Sequence, residues 1–210
     1  MTQVIKKRRS QEERSYEMQQ RILNAAFELL RERGYPKFST IEVAKRAKVS
    51  RGALVHHFAS KAVLVESAIE HVFNRSLVAG LERVAKLNST KDPIGAVLEE
   101  ALDFYFSDFF YVGLEMLISG TKDEDLKDKF SRVVHNYRQP MEEEWLKVLC
   151  DNGLPVEIAE ELMWLTVNIV RGAAIRALWR NEPERINKCL NTWRNMVACY
   201  TSVKLVPSRN

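Results

Sequence analysis

Glycine and proline are scarce in this 210-residue chain, at 8 and 6. Their scarcity argues against a turn-rich β fold and favours long helices. No apolar run approaches the roughly 18 to 20 residues needed to span a bilayer. The opening stretch "MTQVIKKRRSQEERSYE" lacks the apolar segment of a signal peptide, so no membrane partner is expected. Cysteine is sparse too: Cys150, Cys189 and Cys199 are odd in number and follow no ligand spacing. Cys189 and Cys199 are ten residues apart on one predicted helix, about 15 Å along its axis, too far for a disulfide. Three free thiols in a reducing cytosol are the simplest account, and a cytoplasmic location follows as an expectation.

What is present is ordinary in bulk and uneven in distribution. Apolar residues make up 46% and charged residues 29%, as in globular domains generally. A chain of this length can bury roughly 70% of its unfolded surface in one or two domains. The net charge of +4 hides a contrast. Residues 1–61 hold 14 Lys/Arg and 6 Asp/Glu, a net +8, whereas residues 62–210 hold 18 and 22, a net −4. A basic head on an acidic body suits contact with a polyanion through the head, though a solvated surface with a basic tail fits as well.

The pattern is helical throughout, so the predicted class is all-α. In "YEMQQRILNAAFELLRERG", Ile22, Ala25, Ala26, Leu29 and Leu30 recur at the spacing of one buried face, and Gly34 ends the helix. A two-turn helix, "TIEVAKRA", is capped by Ser39 or Thr40. Three residues later "RGALVHHF" forms another, capped by Ser50, and a longer helix opens behind Ser60. Five further helices follow. One starts at Asp92-Pro93, a short apolar one surrounds "FYVGLEMLIS", and a third carries Leu126, Phe130, Val133, Val134 and Tyr137 on one stripe before Pro140 kinks it. The last two begin near Pro155 and Pro183, leaving "KLVPSRN" as a frayed end.

"VSRGALVHHFASK" is the densest chemical stretch, and enzymatic readings of it fail. Adjacent histidines on a helix point about 100° apart, whereas one ion usually needs i, i+3 or i, i+4 partners. No histidine has a glutamate three residues before it, which removes the Glu-x-x-His pair of di-iron bundles and His-Glu-x-x-His. Gly52 alone is no phosphate loop. The residues therefore call for no catalytic group, no metal and no cofactor.

Two short helices joined by three residues in a basic head make a helix-turn-helix pattern. Ile41, Val43, Ala44, Ala47, Val49, Leu54 and Phe58 supply its apolar core. The start of the third helix would then enter the major groove of double-stranded DNA. Gly52 and Ala53 let the backbone approach there, and Arg51 can bond a guanine bidentately. Thr40, Ser50, His56, His57 and Lys61 are spaced to hold phosphates.

"TIEVAKRAKVSRGALVHHFASKAVLV" resembles the DNA-binding segment of the TetR family of transcriptional regulators. The resemblance covers about residues 18–70, and the family's architecture of about nine helices fits the whole chain. It implies a homodimer whose heads bind a palindromic operator, a variable C-terminal domain that binds a small molecule, and two C-terminal helices that dimerise. Release of a repressor by its effector is the implied mechanism. Two positions depart from the family pattern. Lys48 stands where glycine is usual in the turn, where it can add a phosphate contact, and "LVHHF" puts Val55 and His57 in place of tyrosines.

Division at residue 61 gives a head, 1–61, with a basic N-terminal arm, and an effector and dimerisation domain, 62–210. Phe104, Phe106, Phe109, Phe110 and Tyr111, with Met116, Tyr137, Trp145 and Trp164, can line an apolar pocket or simply fill the core. Asn168 and Arg171 interrupt an apolar helix and can bind a polar or anionic ligand or serve an interface, while His135 is read as a surface histidine. Ile169, Gly172, Ala173 and Ala177 form a small-residue face, and Ile186, Leu190, Trp193 and Val197 a stripe on the last helix. These can pair across a dimer or pack inward. Two other readings stay open: a DNA-binding protein with no small-molecule effector, and an all-helical enzyme or metal bundle, against which the missing motifs argue.

Overall fold

The computed structural model describes residues 10–87, 92–119 and 124–204. The basic arm before Ser10, the C-terminal end beyond Lys204 that the sequence predicts to be frayed, and the side chain of Leu126 lie outside them. Among the described residues the chain forms nine α-helices, one 3-10 turn and no strand: α1 (Gln11–Arg33), α2 (Thr40–Ala47), α3 (Arg51–His57), α4 (Lys61–Val84), the turn Ala85–Leu87, α5 (Pro93–Tyr105), α6 (Asp108–Ser119), α7 (Glu124–Asp151), α8 (Val156–Ala177) and α9 (Pro183–Lys204). The chain divides into two compact units, Met1–Phe73 with Val112–Val133, and Asn74–Tyr111 with Val134–Asn210.

In the first unit, α1 starts on a capping box. Ser10 Oγ accepts from the Glu13 N–H at 3.0 Å, and the Glu13 carboxylate accepts from the Ser10 N–H at 2.8 Å. The helix ends at Gly34, whose φ of +69° is costly for any residue with a Cβ. Ile22, Leu23, Ala26, Leu29 and Leu30 are buried, and α2 packs on α1 through Val43, Ala44 and Ala47. Ile41 is corrected here: it is 62% exposed and no part of that core. It lies roughly 100° round the helix from the buried face, so a two-turn helix cannot turn it inward. Val49 is half-buried. Leu64, Val65, Ala68 and Ile69 of α4 complete the core, and Gly113 leaves room for the Phe73 ring.

In the second unit α5 packs on α8 and α9, and α8 packs on α9. Asp92 caps α5 by accepting from the Gly95 N–H at 2.8 Å, with Pro93 in the first turn. α7 passes through Pro140 as one helix and buries Tyr137, Met141, Trp145, Val148 and Leu149. Buried Glu100 accepts from Arg83 Nε at 3.0 Å and Nη2 at 2.8 Å, a bidentate pair linking α4 and α5. Thr166, fully buried, donates to the Leu162 carbonyl and accepts from Trp193 Nε1 at 3.0 Å, which ties α9 to α8.

Candidate nucleic-acid interface

α2 and α3 meet at the geometry the spacing requires. Lys48 closes α2 in the left-handed region, φ +55° and ψ +48°, and is the one non-glycine residue with positive φ among those described. The conformation costs a side chain about 1 kcal/mol, yet it lets the Val49 N–H reach the Ala44 carbonyl at 3.0 Å and turns the chain into α3. Arg21 also donates to the Ala47 carbonyl at 3.4 Å. Ser50 then caps α3 as its sequence position predicts, accepting from the Ala53 N–H at 3.1 Å. Ser39 occupies the cap position of α2 without a side-chain bond.

Leu54 and Phe58 anchor α3 in the core, so the opposite face stays outward. Arg51, Gly52 and His56 are exposed, with Ala53 and His57 half-buried and the two imidazoles edge-on at 5.5 Å. Lys48 and Ser50 are exposed beside them, and Thr40 at the start of α2 is half-buried. Val55 is exposed as well. Lys61 is set differently. Its Nζ donates to the Tyr35 carbonyl at 2.9 Å and sits 4.3 Å from the centroid of the Tyr35 ring. Burial pushes its ammonium pKa down. Two of its three N–H donors remain after that bond.

Ion pairs brace the scaffold behind this face. Arg46 on α2 forms a bidentate pair with Glu32 on α1 at 2.8 and 2.6 Å, and Arg33 pairs with Glu42 at 2.8 Å. The Arg46 hydrogen bond holds the Glu32 carboxyl below its ordinary range. Arg46 is therefore spent on α1, while Arg51 has no such ion pair among the described residues.

The aromatic residues of the second unit are partly brought together. Phe104 stacks on Tyr137 with centroids 4.7 Å apart, and Phe110 meets Tyr105 edge-on at 4.9 Å. Tyr111, half-buried, donates its hydroxyl to the Ala174 carbonyl at 3.2 Å. Burial pushes the phenols of Tyr105 and Tyr137 up. Trp145 joins this group through Arg138, whose guanidinium carbon lies 5.1 Å from the indole centroid and 5.3 Å from that of Tyr105. Arg138 and Tyr105 escaped the sequence reading. A cation within an apolar helical stripe was the available signal.

Arg138 Nη1 and Trp145 Nε1 are buried with no hydrogen-bond partner among the described residues. Leaving such donors unmade costs about 1–3 kcal/mol each. Trp164 does not join the cluster. It is 64% exposed on α8, beside an open groove of about 650 Å³ formed with Glu142, Leu146, Met163 and Leu165. Met116 is buried in the first unit, Phe106 is exposed and Phe109 half-buried. Asn168 donates to the Trp164 carbonyl at 2.7 Å and accepts from exposed Arg171. His135 is exposed.

The named dimer residues separate into two sets. Ile186, Leu190 and Val197 are buried within the chain, with Trp193 half-buried behind them. Gly172 is exposed, and Ile169, Ala173 and Ala177 are half-buried. Ile169, Gly172 and Ala173 line a groove of about 230 Å³ with Arg185 and Cys189. Leu165, Leu178, Trp179, Met196 and Tyr200 expose further apolar surface on the same two helices or just beyond α8, where sequence stripes gave no sign of it. No cluster of three metal-ligating side chains occurs among the described residues.

An all-helical chain with this α2–turn–α3 unit belongs to the helix-turn-helix class of DNA-binding transcriptional regulators. Residues 22–68 match the family model described as bacterial regulatory proteins, tetR family. The chain is 37% identical over 186 residues to the HTH-type transcriptional regulator CymR of Pseudomonas putida, spanning 89% of this chain and 92% of that protein. An uncharacterised HTH-type regulator of Mycobacterium tuberculosis is 27% identical over 167 residues, 80% of this chain and 86% of its own. Among solved structures, a transcriptional regulator from Rhodococcus sp. Rha1 superposes with a TM-score of 0.65 at 24% identity, covering 85% of this chain and 94% of that one. A TetR-family regulator from Mesorhizobium loti gives 0.69 at 15%, covering 90% and 98%. The chain belongs to the TetR family: it is a DNA-binding transcriptional regulator and not an enzyme.

Proposed function

We propose that the chain is a homodimeric repressor that binds a palindromic operator through α3 and is released by a small-molecule effector. The observation that carries the reading is the outward first turn of α3. Arg51 and Gly52 are exposed on a helix held from behind by Leu54, Phe58 and the Ser50 cap. Arg51 reads guanine, and Gly52 and Ala53 admit the base edges. Lys48, Ser50, Thr40, His56, His57 and the two remaining Lys61 donors hold phosphate on either side.

In this reading residues 1–61 bind DNA, and residues 62–210 bind the effector and a second copy, in the cytoplasm. The exposed apolar side chains of α8 and α9 support the second copy, since contiguous patches of that kind mark association surfaces. Ile169, Gly172, Ala173 and Ala177 then contribute to the interface, while Ile186, Leu190, Trp193 and Val197 stiffen α9 from inside. Phe104, Phe110, Tyr111, Tyr137 and Trp145 line the effector site, with Trp164, Asn168 and Arg171 as outlying candidates.

Selection of the operator from random duplexes tests the reading. A two-fold symmetric site is expected. Arg51→Ala should flatten preference at one base pair per half-site, costing about 1–3 kcal/mol there. Lys61→Ala should weaken every sequence alike and lower the salt slope. Unchanged operator affinity in both variants would sink the assignment.

A further inference from the structure

We infer that Val55 reads a thymine, its methyls meeting the C5-methyl group of a base close to the guanine that Arg51 contacts. The inference rests on the reading of α3 as the helix that enters the major groove, and it adds a residue that fixes which operator is bound.

The exposure of Val55 is the starting observation. Val55 is 55% exposed, although it follows Leu54, which anchors the helix at 2% exposure. At about 100° per residue, Val55 projects roughly 40° from Arg51 and roughly 60° from Gly52, between the two and one turn further on. Arg51 and Gly52 are exposed as well, so the three share one outward strip of α3. Local preference does not account for valine here, since it forms helix less readily than alanine and α3 has only seven residues.

Chemistry then limits what Val55 can touch. Its side chain has neither donor nor acceptor, so it can bond neither a phosphate nor the polar edge of a base. The major groove offers such a side chain one apolar partner, the C5-methyl group of thymine. Guanine, adenine and cytosine are read there by their hydrogen-bonding groups.

The geometry brings that methyl next to the base read by Arg51. A helical side chain leans toward the N-terminus, over the turn before it, so Val55 leans over Arg51 and Gly52. Gly52 leaves that surface bare, because a Cβ built there would approach Ser50 Oγ no closer than 4.0 Å. Arg51 and Val55 are about 6 Å apart along the helix axis, and successive bases along a strand are about 3.4 Å apart. The thymine therefore lies about one or two base pairs from the guanine. Valine is also confined largely to one χ1 rotamer in a helix, so its methyls are presented with little further loss of freedom.

The test uses the full chain and the operator selected from random duplexes. Each thymine of a half-site is replaced singly by uracil, which removes the methyl and leaves the hydrogen-bonding edge unchanged. One thymine, beside the guanine whose preference Arg51→Ala flattens, should bind about fourfold more weakly as uracil, the effect of one buried methyl-sized group. Val55→Ala should bind the thymine and uracil duplexes alike. Its salt slope should equal that of wild type, because no phosphate contact is lost. Its thermal midpoint should stay close to wild type, which keeps lost reading apart from lost folding. The inference is overturned if no thymine responds to uracil, if the response persists in Val55→Ala, or if that variant lowers the salt slope. A half-site with no thymine near that guanine overturns it too. An operator that depends on Arg51 while every thymine tolerates uracil would remove Val55 from base reading and leave the regulator reading intact. Failure to select any operator would defeat both.

Discussion

The Glu115 carboxylate accepts a hydrogen bond from the Tyr35 N–H at 3.1 Å, while Lys61 donates to the carbonyl of the same residue at 2.9 Å. Both polar groups of one backbone unit are thus satisfied by side chains from α6 and α4, at the connection that leads from α1 into α2 and α3. Glu115→Ala is expected to leave the N–H unpaired and cost about 1–2 kcal/mol, which lowers the melting temperature by about 2–4 °C per kcal/mol for a chain of this size. Gly34→Ala should cost more, since its φ is +69° and a Cβ there would run into the Glu115 carboxylate. Urea denaturation of both variants checks this. A Glu115→Ala midpoint equal to wild type would show that the bond contributes nothing.

Lys48 closes α2 in a left-handed conformation that glycine adopts without strain. Lys48→Gly should raise stability by up to about 1 kcal/mol and lower the slope of operator affinity against salt by about one. Chemical denaturation beside a salt titration separates the two effects. If affinity falls with no change in salt slope, Lys48 is no phosphate contact.

The Arg46 hydrogen bond holds the Glu32 carboxyl below its ordinary range. A depressed folded-state pKa means that the stabilisation is present above the unfolded carboxyl value and is lost as pH falls through the lower, folded one. The clamp between α1 and α2 should therefore weaken in acid below about pH 4.5. Arg46→Ala should remove that part of the acid dependence and leave the neutral-pH fold intact. Parallel acid titrations of the two proteins by circular dichroism would show it, and superimposable curves would refute it.

Gly172 lies exposed on α8 with nothing within 4 Å of where a Cβ would stand. Gly172→Arg should accordingly fit the single chain and improve helix propensity, by up to about 1 kcal/mol. In a dimer built on this face the new side chain would hold the copies apart. Light scattering at micromolar concentration should report a dimer for wild type and a monomer for the variant. A dimeric variant would move the interface to another surface, and a monomeric wild type would remove it.

Local signals carried far in this chain. The α2 span, its three-residue turn, the Ser50 cap and the Asp92-Pro93 start of α5 were all readable, because caps and turns depend on neighbours within about four residues. The exposure of Ile41 was not readable. In so short a helix an apolar residue beside the core face looks the same as one within it. The same ambiguity hid the two sides of α9, where Ile186, Leu190 and Val197 turned inward while Met196 and Tyr200 stayed outside.

The sequence by itself determined the helical class, the basic head and the helix-turn-helix. Periodicity, scarce glycine and proline, and capping chemistry are properties of short windows along the chain. Tertiary structure alone decided that Lys61 is tied to Tyr35, that Glu115 holds the same residue, and that Arg138 and Trp145 share one buried locus. These partners lie seven to eighty residues apart, and no local spacing encodes which donor finds an acceptor once the core has closed.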